Sequence, residues 1–247
     1  MKINKHSLAP PFNLNYGIMF KKVNVFFLTI FISQMVSAQV FINTYDYDTT
    51  VIGTFRQGKN EDYNCASIAV IKCAIAKFGP DHVFKSITDN GVEYSIVLRN
   101  GEKMSLTKDE LTMAIKMNGF LYIKNQDIFD KANFLYAVMV KRAVNRPESI
   151  FSSCTSFQKA IIFLHGDTGG VDARNLLSLL GYKQGYAKHK RSISYIFENG
   201  YHAVFATDRQ FDNYGSPDRL SLRNWKPHLG IDILKDLTSI NFSLEDQ

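Results

Sequence analysis

Gln57 to Gly79 reads QGKNEDYNCASIAVIKCAIAKFG, a polar loop that runs straight into a helix. The loop carries Gln57, Gly58, Asn60, Glu61, Asp62 and Asn64, and the helix opens at Cys65 beside the small residues Ala66 and Ser67. Apolar residues follow at Ile68 to Ile71 and Cys73 to Ala76, on nearly every side of the helix, so it is expected to be buried. Gly79 supplies a stop. A helix N-terminus carries free N–H groups and partial positive charge. Both favour thiolate over thiol, and the thiolate is the nucleophile. Against this stands the plainer reading, since free cysteine is among the most buried residue types and often only packs.

Upstream, residues 20–38 read FKKVNVFFLTIFISQMVSA. Lys21 and Lys22 form a basic start, Val23 to Ile32 a short apolar run, and Val36-Ser37-Ala38 a small-residue cleavage site. This is the pattern of a secretory signal peptide, too short for a stable membrane span, although an uncleaved anchor is the alternative. Met19 is a plausible initiator, with residues 1–18 an upstream extension. Cleavage after Ala38 would leave Gln39 first and the protein secreted or periplasmic. Without the four lysines of the leader, 25 basic and 23 acidic residues remain, so the working protein is nearly neutral. Lys188 to Arg191, KHKR, is more often a solvated turn than a nucleic-acid patch.

Residues 39–247 lack an internal repeat, a low-complexity tract or a Pro/Gly/Ser linker and are expected to form one folding unit. Residues 39–56 read as a lead-in strand or arm, and Asp81 to Ile87 as a short helical turn. Asn100-Gly101, between Val92–Leu98 and Glu102–Leu106, is the strongest short hairpin signal. Thr107 to Glu110 is a capping box for a helix over 108–117. Helices are expected at about 127–144, 155–164 and 171–180. Strands follow at 192–197, 201–207, 220–223 and 231–234, with a last edge at 240–244. The layout is α+β, with a helical half over about 57–181 and an antiparallel sheet half over about 190–247. Three cysteines are no disulfide framework. Cys73 and Cys154 could pair if the fold brings them together, leaving Cys65 free.

His202 lies in Tyr201 to Thr207, YHAVFAT, a rigid place for a general base. Histidine accepts a thiol proton near neutral pH and returns it to a leaving amine. A third group usually orients the ring. Asn224, in Leu220 to Trp225, LSLRNW, is the first candidate, and Trp225 could shield that bond from water. Asp208 is the alternative, with Asp212, Asn213 and Asp218 as loop candidates.

These segments together resemble the papain-like cysteine peptidases, and the calpain-like branch most. The matching pieces are Gln57-Gly58 with Asp62 to Cys65, then Gly200 to Val204, then Leu222 to Trp225. The resemblance implies a papain-like fold and a peptidase with Cys65 as nucleophile and His202 as acid/base. It further implies that Asn224 orients His202 and that Gln57, with the backbone N–H of Cys65, forms the oxyanion hole. The chain departs from the family pattern at three points. The loop from Gln57 to Cys65 is two residues longer than the usual spacing, Ala66 replaces an aromatic, and Trp225 follows Asn224 directly.

Other motifs point nowhere. Gly166-Asp167-Thr168-Gly169-Gly170 looks like a serine-peptidase loop, with threonine in place of the serine, and reads as a turn. The histidines show no metal spacing, and CxxC, HExxH, EF-hand and phosphate-loop motifs are missing, so no cofactor or metal is expected. Two alternatives accompany the peptidase reading: a transglutaminase-like, deamidating or amidase enzyme of the same fold, and a non-catalytic secreted binding domain. The expected partner is a protein or peptide substrate, without nucleic acid and without a lasting membrane anchor.

Overall fold

The Asn100-Gly101 turn closes a hairpin of β3 (Glu93–Val97) and β4 (Lys103–Thr107), in which Ile96 faces Met104 across the pair. Gly101 takes φ 85°, a left-handed backbone that glycine adopts without strain. We describe a computed structural model that covers residues 50–58, 63–146, 150–166, 171–186, 195–198, 202–207, 210–219 and 238–243. All of them fall in one unit, Thr44–Gln247. The expected leader lies outside the described residues, as do the strands expected at 220–223 and 231–234.

β1 (Phe55–Gln57) ends the expected lead-in segment and pairs antiparallel with β5 (Phe120–Tyr122). Helix α1 spans Cys65–Phe78, as the sequence implies, and Ser67 to Ala76 is buried without interruption. Its N-cap, Asn64, makes no side-chain cap bond, while Gly79 at the other end donates its N–H to Ile75 O at 2.8 Å. Burial rather than capping therefore holds α1. Val70, Ile71 and Ile75 are fully buried, each worth roughly 1.5–3 kcal/mol relative to exposure.

The expected helical turn at Asp81 to Ile87 is instead a loop leading into strand β2 (Ser86–Asp89), which pairs with β3 to complete a meander β2-β3-β4. All four β2 residues are exposed, so no alternation marks the strand; pairing of Ile87 with Ile96 makes it one. The first half of the chain is thus not purely helical. Helix α2 (Lys108–Met117) starts at Thr107 with both bonds of the capping box in place. Helices α3 (Gln126–Val144), α4 (Phe157–Leu164) and α5 (Ala173–Leu179) follow near their expected positions and pack around α1 or one another.

The second half is a six-stranded antiparallel sheet in the order β10-β9-β8-β7-β11-β6. Its strands are β6 (Lys183–Tyr186), β7 (Tyr195–Glu198), β8 (Ala203–Thr207), β9 (Gln210–Asn213), β10 (Ser216–Arg219) and β11 (Thr238–Ser243). The expected last edge is in fact interior, since β11 pairs with both β7 and β6. The protein is thus mixed α and β, and α1 packs against β8.

Candidate active site

Cys65, Ile68, Ala69 and Lys72 fall at i, i+3, i+4 and i+7, one face of α1. That face lines a small cleft whose other walls are Arg56 and Gln57 of β1, His202 with Ala203 to Phe205 of β8, Asp212 of β9, and Tyr214 and Gly215 of the following turn. Cys65 and His202, 137 positions apart, therefore meet at one cleft, together with Gln57. Cys65 is half-buried at the first position of α1, and no acidic side chain in the first turn opposes the helix dipole there.

His202 sits one residue before β8 rather than within it. Burial pushes its pKa down to about 4, so the imidazole is neutral at pH 7 in this state, and protonating it calls for a negative partner, such as a Cys65 thiolate, beside it. The ring of Tyr214 stacks on it, with centroids 4.7 Å apart and planes 14° from parallel. Burial raises the Tyr214 phenol pKa, and charge on Cys65, which lines the same cleft, raises it further. Tyr214 holds φ 51°, a strained value for a bulky side chain. Asp212 fixes this turn by accepting from Gly215 N at Oδ1, 2.6 Å away.

The other oxygen of Asp212 ties the rear of the cleft together. It accepts from Lys72 Nζ at 2.6 Å and from Gly53 N at 2.8 Å, while Lys72 Nζ also donates to Phe55 O at 2.5 Å. Burial lowers the Lys72 pKa and the Asp212 carboxylate opposes that shift. One buried ion pair thus joins α1, β1 with the residues just before it, and β9 with the turn after it, the three parts of the chain that carry Cys65, Gln57 and Tyr214.

The longer Gln57–Cys65 loop is held at both ends by one corner of the chain. Gly58 N donates to Gly119 O at 2.8 Å, and Asn64 Nδ2 donates to Asn118 O at 2.5 Å. Asn118 is fixed in turn by donating to Asn133 Oδ1 at 2.6 Å. The intervening residues 59–62 lie outside the described residues. Extra loop length therefore does not carry Gln57 away from Cys65. Among the described residues Gln57 Oε1 is buried without a hydrogen-bond partner. Buried amides are normally paired, so this oxygen is open to a ligand group that donates a hydrogen bond.

Asn224, Trp225 and Asp208 lie outside the described residues. Asp212 and Asn213 belong to β9 and Asp218 to β10, not to loops. Asp212 serves Lys72, Gly53 and Gly215. None of the three cysteines is in a disulfide, so Cys73 and Cys154 do not pair; both are buried. Among the described residues no three His, Cys, Asp or Glu side chains form a metal-binding group. The sequence reading missed Lys72, Arg56 and Tyr214. For Lys72 the signal was present, a lysine seven positions after Cys65 on an otherwise apolar helix. Comparison with protein-family models, with curated proteins and with solved structures finds no match.

Proposed function

We propose that the protein is an exported cysteine peptidase of papain-like fold that cleaves peptide bonds through an acyl-enzyme. The observation that carries this reading is the convergence of Cys65, His202 and Gln57 on one cleft from three separate elements. Cys65 gives its proton to His202 and attacks the substrate carbonyl carbon through sulfur. The backbone N–H of Cys65 and the side-chain N–H of Gln57 donate to the developing oxyanion. His202 then protonates the leaving amine, which departs as the thioester forms. Water, deprotonated by His202, releases the acid and restores the thiol. Asn224 is the proposed orienting partner of His202, and the leader at about 19–38 the export signal.

Labelling of the purified mature protein with iodoacetamide tests the Cys–His pair. Cys73 and Cys154 are buried and react slowly whatever the chemistry, so the reference is a free thiol, N-acetylcysteine amide: Cys65 should label much faster than it at pH 7, and His202→Ala should remove that advantage. Labelling of wild-type Cys65 no faster than that of the free thiol, or no faster than in His202→Ala, refutes the reading. A peptide library incubated with wild type and Cys65→Ser then defines the reaction. New N-termini identify a peptidase, whereas deamidated glutamine or isopeptide products identify the transferase alternative.

A further inference from the structure

The cleft carries a charge that its own residues leave uncompensated. Asp212 is the one carboxylate among its described lining residues, and it is engaged by Lys72 Nζ, Gly53 N and Gly215 N. Burial keeps His202 neutral at pH 7. Arg56, next to Gln57 and half-buried, is left without an ion pair or hydrogen bond from its guanidinium among the described residues. A second cation stands nearby. Exposed Lys124 likewise has no ion pair among the described residues, and its charge adds, after burial, to the lowering of the Lys72 pKa.

Two glycines in contact with each other, Gly53 and Gly215, lie beside these two cations. A Cβ on Gly215 would overlap Ile123 and lie 3.2 Å from both Cβ and Cδ of Arg56. A Cβ on Gly53 would lie 2.9 Å from Gly215 O and 3.8 Å from Lys124 Cε. Glycine at 215, with positive φ, therefore lets the Arg56 stem lie close against this turn, and Lys124 Cε stands at ordinary contact distance from the adjoining Gly53. A half-buried guanidinium presents a planar fork that matches a carboxylate, and a flexible ammonium beside it adds charge.

We propose that Arg56 and Lys124 form an anion-binding subsite beside Cys65, selecting acyl substrates that carry a carboxylate close to the reacting carbonyl. The inference rests on Cys65 being the nucleophile. The shared chemistry is a carboxylate, supplied by an Asp or Glu side chain or by a free C-terminus.

The test compares alkylation of Cys65 in the full mature protein by iodoacetate, an anion, and by iodoacetamide, its neutral counterpart. Each pair of rates is expressed as a ratio and referenced to N-acetylcysteine amide. Arg56→Gln should lower the iodoacetate-to-iodoacetamide ratio about fivefold at low salt, the size expected for one nearby unit charge. Lys124→Gln should lower it less, and Arg56→Lys should retain most of it. Lys131→Gln, outside the cleft, is the control. An unchanged ratio in both Arg56→Gln and Lys124→Gln overturns the proposal, and Lys124→Gln, being exposed, serves if Arg56→Gln fails to fold. Slow iodoacetamide labelling of wild-type Cys65 would instead defeat the peptidase reading, so the two failures are distinct. Protection of Cys65 by paired peptides, Asp against Asn and free acid against amide, identifies the source of the carboxylate. Equal protection by every charged and neutral twin counts against the subsite.

Discussion

The stacked ring of Tyr214 should set the pH at which His202 can work. The folded pKa of about 4 against an ordinary 6.5 is a difference of 2.5 units, about 3 kcal/mol at 1.36 kcal/mol per unit. Between those two values the unfolded chain binds a proton that the folded chain refuses. Stability is therefore complete above pH 6.5 and falls as pH drops towards 4. The charges lining the cleft around the imidazole are Arg56, Lys72, Asp212 and any charge on Cys65, and Lys72 with Asp212 largely cancels. Desolvation is therefore what lowers it, and Tyr214 covers one face of the ring. Tyr214→Ala should return water to that face and raise the His202 pKa by about one unit, if half the desolvation is removed. Tyr214→Phe should leave it in place. Tyr214→Gly removes the ring and also relieves a strained φ of 51°, worth about 1 kcal/mol. That variant should therefore fold at least as stably as wild type at pH 8 and still show the raised pKa. The assay is an NMR titration of the His202 ring protons, with urea unfolding at pH 8 and pH 5 beside it. A His202 midpoint unchanged in Tyr214→Gly would refute the shielding argument.

Three further substitutions probe the scaffold. Asp212→Asn leaves Lys72 buried without its counter-charge and should cost about 3–5 kcal/mol, read from urea midpoints. Gly215→Ala puts a Cβ into Ile123 at φ 85° and should lower the melting temperature, with a cost of about 1–3 kcal/mol from crowding; a neutral result would mean that the turn can shift. Thr107→Ala removes the acceptor that Glu110 N uses at 3.1 Å, and should destabilise by about 0.5–2 kcal/mol without changing Cys65 labelling.

What could be read from the sequence follows the range of the interactions involved. α1, α2 and the Asn100-Gly101 hairpin rest on contacts a few residues apart, and their bounds fall within a residue or so of expectation. β2 does not, because its exposed face carries no pattern and only pairing with β3 defines it. β11 has an ordinary strand composition, but its interior position depends on returning between β7 and β6, which no local signal encodes. The same division runs through the site. Cys65 and His202 could be named because their residue types carry chemistry, and Gln57 because of the family resemblance. Tyr214 could not, because its importance comes from a stacking partner twelve positions away. Lys72 was passed over since a lysine on an apolar helix is usually taken to reach solvent; its partner lies 140 residues on.

That pair explains how a cleft assembled from distant segments can keep its geometry. Apolar contacts between α1 and β8 are favourable over a range of offsets, because hydrophobic burial has no direction. A slip of one helical turn would carry Cys65 about 5.4 Å along the axis, beyond hydrogen-bond reach of any fixed base. Lys72 resists such a slip, since its ammonium must meet both Phe55 O and Asp212 Oδ2. Buried ion pairs contribute little net stability, and replacing both members with apolar residues is often neutral or stabilising by about 1–4 kcal/mol. The double variant Lys72→Met with Asp212→Leu separates stability from register. We expect its urea midpoint to stay near that of wild type, or above Asp212→Asn by at least about 2 kcal/mol. Cys65 alkylation should nevertheless slow about tenfold and lose its dependence on His202. Should the double variant keep wild-type labelling, the register of α1 is set by packing alone, and Lys72 with Asp212 is a structural pair without bearing on the cleft.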